Sequence, residues 1–600
     1  MNQLWLGYAR RLLWALLLGM PPALSGAAAI GEGSSAGGIR WLPSEQAAFS
    51  QAKAEQRFVL LYLQAVWCHW CHVMDQRTYA DAEVAGLIAG HFVPLRIDQD
   101  SRPDLANRYR DYGWPATIVF DAAGREIVKR QGFVAPAAMR QLLQAIVDDP
   151  SPEAVASIEP DPGSSTSGLS ADVRRELLDR HARTYDSQRG GLKTSQKYLE
   201  RDSVEYALAR AAAGDAGERA RALQTLDAAR ALLDPVWGGF YQYSTGGDWQ
   251  HPHFEKLTTL QAEYLRIYSL AYAQTGERRF LDVALAVQRY SNQFLLDDSG
   301  AFYVSQDADL RPGEHSAEFF ALADADRRRL GLPRVDNNRY SQQTANMAEA
   351  YAVLYEVSGD AASLAVAVRA AEWVIAERSL PNGGFAHDHD DLGGPFLADS
   401  VAAGRAFLQL YRVTANRDWL AQAGRAADFI DTTFRLPRGY AGGAPNAGPI
   451  APVARIEENI SVARFGNLLA RYSGAARHAK MAVHARTWLA PPAIALSRLT
   501  EAGILLVDDE IEADPLHVTV IGDKQDAAAE TLFEAALRLP AAYKRLDWWD
   551  PTEGPLPNPD VSYPPVERAA AFVCTQRRCS LPIYVASEIA PFLAQSGLQE

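Results

Sequence analysis

The stretch that decides the fold is Phe58-Val59-Leu60-Leu61-Tyr62-Leu63, followed after three residues by Trp67-Cys68-His69-Trp70-Cys71. A short continuous apolar run of this kind reads as a buried strand. The polar sequence after it reads as a helix with Cys68 at its start. Two thiols three positions apart then lie one turn from each other on the same helix face. A thiol in the first turn feels the helix dipole and the free N–H groups there, which favour the thiolate. Cys68 is therefore expected to attack and Cys71 to resolve the resulting mixed disulfide. A protonated His69 would stabilise the Cys68 thiolate further, and Trp67 and Trp70 would shape the surface around the pair.

Working outward, residues 39–149 read as one α/β block. A helix over 44–56 leads into the strand, and the Cys-bearing helix runs to about residue 89. A strand at 92–97, a helix at 103–112, hairpin strands at 117–121 and 126–131, and a helix at 136–147 complete it. With Trp114-Pro115-Ala116-Thr117 before the hairpin, this order resembles the thioredoxin fold. The resemblance implies that Pro115 is a cis proline facing the cysteines, where it helps dock an extended polypeptide. Thioredoxins carry a buried acid on the strand before the cysteines, and the matching position here is Tyr62. A zinc site is the other reading of two such cysteines, but no second pair stands at zinc-ribbon spacing.

The 600 residues suffice for several domains. A formal charge of -14 without a basic run argues against a nucleic-acid surface. At the N-terminus, Arg10 and Arg11 precede a short apolar run and then Ser25-Gly26-Ala27-Ala28-Ala29. Residues 1–29 thus read as a cleaved secretory signal, too short in its apolar part to span a bilayer, with a retained anchor as the alternative. The expected location is exported and periplasmic, with no stable membrane span after cleavage. The four cysteines, Cys68, Cys71, Cys574 and Cys579, form two close pairs, which suits an oxidising compartment.

Residues 150–168, rich in Pro, Ser, Gly and acids, read as a linker. From 169 to 501 amphipathic helical stretches follow one another, among them 203–213, 255–273, 280–294, 343–357, 362–376, 398–413 and 460–472. Between them recurs a glycine-aromatic loop: Gly190-Gly191-Leu192, Gly238-Gly239-Phe240, Gly300-Ala301-Phe302, Gly383-Gly384-Phe385 and Gly439-Tyr440. Repeated helix pairs with a glycine turn at one end suggest a closed (α/α)6 toroid whose loop aromatics and polar residues ring one mouth. Residues 502–600 read as a small α/β region, with strands at 504–507, 517–521 and 570–573 and helices at 527–539 and 586–595. The expected fold class is therefore multidomain: an α/β thioredoxin-like domain, an all-α toroid and a small α/β C-terminal region.

Seven motifs run through the chain in order: Cys68-His69-Trp70-Cys71-His72-Val73-Met74, Arg102-Pro103-Asp104, Gly113-Trp114-Pro115, Tyr243-Ser244-Thr245, Pro252-His253-Phe254-Glu255-Lys256, Gln306-Asp307-Ala308-Asp309, and Val573-Cys574 with Cys579. Together they resemble the family of thioredoxin-like proteins with a C-terminal toroid related to mammalian spermatogenesis-associated protein 20. The resemblance implies the fold and attaches no reaction to it. The chain departs from the family in a shorter segment before Trp114, in Gln306 where an acid is usual, and in a trimmed segment after Asp309.

The residues themselves mark a second candidate site. Trp237, Tyr243, His253, Glu255 and Lys256 follow the second glycine loop, and Asp307 and Asp309 follow the third. Aromatics for stacking on sugar rings beside polar groups for hydroxyls suit a carbohydrate pocket. One carboxyl among Glu255, Asp307 and Asp309 would then act as general acid or base, with His253 as its partner. The plainer reading is that the loop aromatics pack the toroid and that His251 and His253 are structural. His69 and His72 are not read as metal ligands, since thioredoxin-like geometry argues against it, and no cofactor is expected. Cys574 and Cys579 read as a small structural disulfide rather than a second relay. Three functions are open. The first is an exported thiol-disulfide protein with a protein thiol or disulfide partner, its toroid serving recognition; the second is a carbohydrate-active or carbohydrate-binding protein with an accessory thioredoxin-like domain. A scaffold for protein partners is the third.

Overall fold

A computed structural model of the chain describes residues 38–153, 167–445, 448–574 and 579–595. The signal expected over 1–29 and most of the expected linker lie outside these residues.

The first domain begins with α1 (Glu45–Glu55), N-capped by Ser44, whose side chain accepts from the N–H of Ala47. Strand β1 (Phe58–Gln64) is buried through its middle. It is followed by α2 (His69–Arg77), α3 (Ala82–His91), β2 (Phe92–Asp98), α4 (Pro103–Arg108), β3 (Ala116–Phe120), β4 (Glu126–Gln131) and α5 (Pro136–Asp148). One helix was expected where α2 and α3 stand. Asp81 divides them, because its carboxylate accepts from the N–H groups of Glu83 and Val84 and so starts a new helix. The sheet order is β2-β1-β3-β4, with β1 parallel to β2 and antiparallel to β3. Alternation along β1 sends Val59, Leu61 and Leu63 to a core shared with Ala48, Phe49 and Ala52 of α1, and Leu60 and Tyr62 to a core shared with α3 and α5.

The second domain contains α6 (Ala171–Thr184), α7 (Arg201–Ala212), α8 (Ala216–Ala229), α9 (Thr258–Thr275), α10 (Arg278–Tyr290), the short α11 (Ala317–Phe320) and α12 (Asp324–Leu330), then α13 (Ser341–Ser358), α14 (Ala361–Arg378), α15 (Leu397–Thr414), α16 (Arg417–Thr433), α17 (Ile456–Ser473), α18 (Ala476–Leu489), the short α19 (Pro492–Ala495) and α20 (Ala502–Glu512). Helices α7, α9, α13, α15, α17 and α20 each touch the next, and α20 returns to touch α7, so they close an inner ring. Their outer partners are α8, α10, α14, α16, α18 and α6. The toroid therefore closes through α20, beyond the boundary expected at residue 501. Residues 504–507, expected as a strand, are its middle turn: all four are buried, because an inner helix of a ring has neighbours on several sides. A continuous apolar run does not by itself separate those two cases.

Each glycine loop connects an outer helix to the next inner one, so all five lie at the mouth formed by the inner-helix N-termini. Each is closed by a β-bridge, as between Leu233 and Phe240. The glycines are sterically required. Gly238 has φ +76°, and a Cβ there would stand 2.3 Å from the Ala286 carbonyl oxygen. The loop aromatics turn inward rather than lining the mouth: Phe240, Phe302, Phe385 and Tyr440 are buried, and Phe240 stacks on Tyr264. Five two-residue strands also lie at this mouth: β5 (Tyr243–Ser244), β6 (Pro252–His253), β7 (Lys256–Leu257), β8 (Ser305–Gln306) and β9 (Val335–Asp336).

The C-terminal region holds β10 (Leu516–Ile521), α21 (Ala527–Leu537), β11 (Lys544–Trp549), β12 (Ala570–Cys574) and α22 (Ile589–Gln595), with sheet order β11-β10-β12. Strand β11 had no expectation from sequence. Its Lys544, Arg545 and Asp547 are charged and yet buried, which hides the usual apolar signature.

The first domain sits on the loop-bearing mouth. His387 lies 2.7 Å from the Asp100 carbonyl, Asn107 donates to Glu458, and the Ile450 N–H donates to Glu45. Arg102 joins Glu45 and Asp104 and stands over the Phe396 ring.

Candidate functional site at the domain joint

Cys68 is the N-cap of α2, and its sulfur accepts the Cys71 N–H at 3.3 Å. Both thiols are free and buried, Cys68 being 3% exposed. Tyr62 donates its hydroxyl to the Cys71 carbonyl at 3.1 Å, so the position of the thioredoxin acid here anchors the cysteine helix. The Trp114–Pro115 bond is cis. Trp114 and Leu257 of the toroid both pack on the cluster of Ala65, Trp67, Cys68 and Cys71. Trp67 was expected to shape the surface. It is instead buried, with its indole N–H donated to Asp100 at 2.6 Å, while Trp70 is the exposed tryptophan.

Burial pushes the Cys68 thiol well above its ordinary value, and the neighbouring Cys71 and the Glu255 carboxyl push the same way. The Cys71 N–H opposes them. The thiol is thus the resting form, because the desolvation of an enclosed thiolate outweighs one helix N-terminus. His69 does not support a thiolate as expected: its Nδ1 lies 2.9 and 3.0 Å from the two Asp309 oxygens.

The toroid supplies the other half of the site. Strand β7 pairs with β8 in the register Lys256 to Gln306, which brings the flanking residues Glu255 and Asp307 to one edge. The Ala308 N–H reaches the Trp67 carbonyl at 3.4 Å. Asp309 receives His69, His72 Nδ1 at 3.1 Å and the Gly313 N–H at 2.8 Å. Burial opposes its ionisation, yet these hydrogen bonds hold its carboxyl at about 2. Burial raises Asp307 to about 6 against the pull of His72, whose Nε2 stands 3.6 Å away. Burial, with Asp307 and Asp309 adding to it, pushes Glu255 to about 8, and its Oε2 has no hydrogen-bond partner. His253 stacks on Tyr243 at 4.3 Å and is held at about 4 by burial and by His315 and His69.

Five of the seven expected toroid residues, Tyr243, His253, Glu255, Asp307 and Asp309, therefore belong to the same neighbourhood as the thiols. Trp237 and Lys256 do not. Lys256 is fully enclosed, bonded to Asp234 at 2.7 Å and to the Gly238 carbonyl at 2.8 Å. Trp237 is buried, donates to Asp324 at 2.6 Å and packs beside Arg327. Alternation along β7 explains the reversal, since adjacent residues point to opposite faces. His72 was not among the expected site residues, although its i, i+3 spacing from His69 already placed both imidazoles on one face of α2. Cys574 and Cys579 form a disulfide of 2.14 Å across two bridged strand residues, away from this joint.

Residues 34–147 match the family Thioredox_DsbH, described as "Protein of unknown function, DUF255", in agreement with the thioredoxin-like fold of the first domain. The chain is also homologous to spermatogenesis-associated protein 20. It is 27% identical to the rat protein over 310 residues, covering 46% of this chain and 39% of that relative. The human protein shows the same identity and coverage. The match thus spans well under half the length of these relatives. Among solved structures, cellobiose 2-epimerase from Bacillus thermoamylovorans is similar at 13% identity and a TM-score of 0.43, over 53% of this chain and 86% of that one. The ring assignment rests on the helix contacts described above.

Proposed function

We propose that the chain is a thiol-disulfide oxidoreductase whose substrate is a small thiol or disulfide compound rather than a folded protein. The carrying observation is that Cys68, an N-cap thiol with Cys71 one turn on, is only 3% exposed and lies under Leu257 of the toroid. A folded partner has no direct approach to such a sulfur, so the proposal is confined to compounds small enough to enter the joint. In the reductive direction the Cys68 thiolate attacks one substrate sulfur, forming a mixed disulfide and expelling one thiolate. Cys71, after losing its proton, attacks the Cys68 sulfur and expels the second thiolate. Two electrons pass to the substrate, two protons end on its thiols, and a dithiol reductant restores the pair. The exported, periplasmic setting read from residues 1–29 belongs to this proposal.

The test is reduction of oxidised glutathione by the pre-reduced full chain, beside a folded disulfide protein as control. Cys68→Ser and Cys71→Ser should each abolish turnover. Equal rates in these variants, or preference for the folded protein, would sink the reading. A second reading draws on the enclosed carboxyls. Glu255 at about 8 is a protonated acid at neutral pH beside the ionised Asp309, a pairing suited to acid–base work on a hydroxylated ligand such as a sugar. A glycan panel that leaves the melting temperature unmoved would count against it.

A further inference from the structure

The joint gathers more than the thiols require. One donor atom each from His72, Asp307 and Asp309 lies within 4.8 Å of the others, and among the described residues no other such group of three occurs. We infer that His72 of the thioredoxin-like domain and Asp307 and Asp309 of the toroid form a divalent-cation site, with the Glu255 carboxyl beside it.

Metal–nitrogen and metal–oxygen bonds are about 2.0–2.2 Å, so ligand atoms around one ion stand roughly 3–4 Å apart. A movement of a few tenths of an ångström at each side chain brings this trio to that spacing. The independent observation is Glu255. Its residue is 3% exposed, its Oε2 has no partner, and its carboxyl lies in the field of Asp307 and Asp309. An enclosed, unpaired carboxylate oxygen is costly unless a cation or proton meets it. The flanking contacts are those that orient metal ligands: His69 Nδ1 on Asp309, and the Asp309 N–H donated to Asp307 at 2.9 Å. An imidazole with carboxylates and no sulfur in the trio suits Mn2+, Fe2+ or Zn2+ better than Ca2+ or Cu+. Since the ligands come from two domains, the ion would also tie the thioredoxin-like domain to the toroid mouth. This inference is independent of the thiol chemistry.

The experiment uses the full chain carrying Cys68→Ser and Cys71→Ser, which removes the competing thiols, stripped with chelator and titrated with MnCl2 by calorimetry. One saturable Mn2+ per chain is expected, with Asp307→Asn weakening it at least about tenfold and His69→Ala about 10–100-fold. Should Asp307→Asn lose its circular-dichroism signature of folding, His72→Gln serves in its place. Absence of a saturable site for both Mn2+ and Zn2+ overturns the inference, and so does binding indifferent to these substitutions. Either result would leave the cluster as a proton-linked ion-pair network, and neither bears on whether Cys68 and Cys71 turn over disulfides.

Discussion

Asp234→Ala tests how the toroid side of the site is held. Asp234 accepts from Lys256 at 2.7 Å and from Arg327 at 2.8 and 3.2 Å, and all three charged side chains are fully enclosed. It also accepts the Val236 N–H at 2.9 Å. Lys256 is the first residue of β7, next to Glu255, and β7 pairs with β8, which leads into Asp307. Removing the carboxylate strands two buried cations, a change of about 3–5 kcal/mol. The elements from α6 to α20 span roughly 340 residues, and at about 2.1 cal/mol/K per residue their unfolding entropy is about 0.7 kcal/mol/K. The expected fall in the toroid melting temperature is therefore about 4–7 °C. Lys256→Met should cost less, about 1–2 kcal/mol, because Asp234 keeps Arg327 and the methionine fills the space. Scanning calorimetry of the full chain reads both. A shift under about 1.5 °C for Asp234→Ala, or a larger loss for Lys256→Met, would refute the view that Asp234 organises this core.

The remaining predictions concern the joint and the C-terminal bridge. Because Cys68 sits above its ordinary value, its alkylation by iodoacetamide at neutral pH should be slower than that of free cysteine and should climb as pH rises beyond about 9; a fast, pH-flat reaction would show a thiolate instead. Glu255 is neutral below about 8 and charged above it, so in the presence of chelator Glu255→Gln should leave alkylation unchanged near pH 6 and accelerate it above 8. An acceleration confined to low pH would reverse the assigned sign. Tyr62→Phe removes only the bond to the Cys71 carbonyl and should cost about 1 kcal/mol by thermal unfolding. Reducing or replacing the Cys574–Cys579 bridge, with its sequence separation of 5, should cost about 2 kcal/mol and leave glutathione turnover unaltered; lost turnover would make that pair part of the relay.

Much of the chain was legible because local pattern and local structure agree. The apolar run before Trp67 could only be buried, a two-cysteine spacing of three fits one turn of helix, and glycine pairs before aromatics marked turns that no other residue can make. Those features determined the thioredoxin-like domain, the thiol pair and the repeated hairpins. Sequence alone left open what each functional side chain would face, because that depends on partners outside its own element, 240 residues away for His69 and Asp309. It placed His69 beside a thiolate, whereas Asp309 claims it; it put Lys256 and Glu255 in one pocket, whereas strand alternation sends one into the core and the other to the joint. It also read two sites. Only the docking of the first domain on the toroid mouth makes them one, by enclosing Cys68, raising its pKa against the helix dipole, and bringing three carboxyls to the face of α2 that carries His69 and His72.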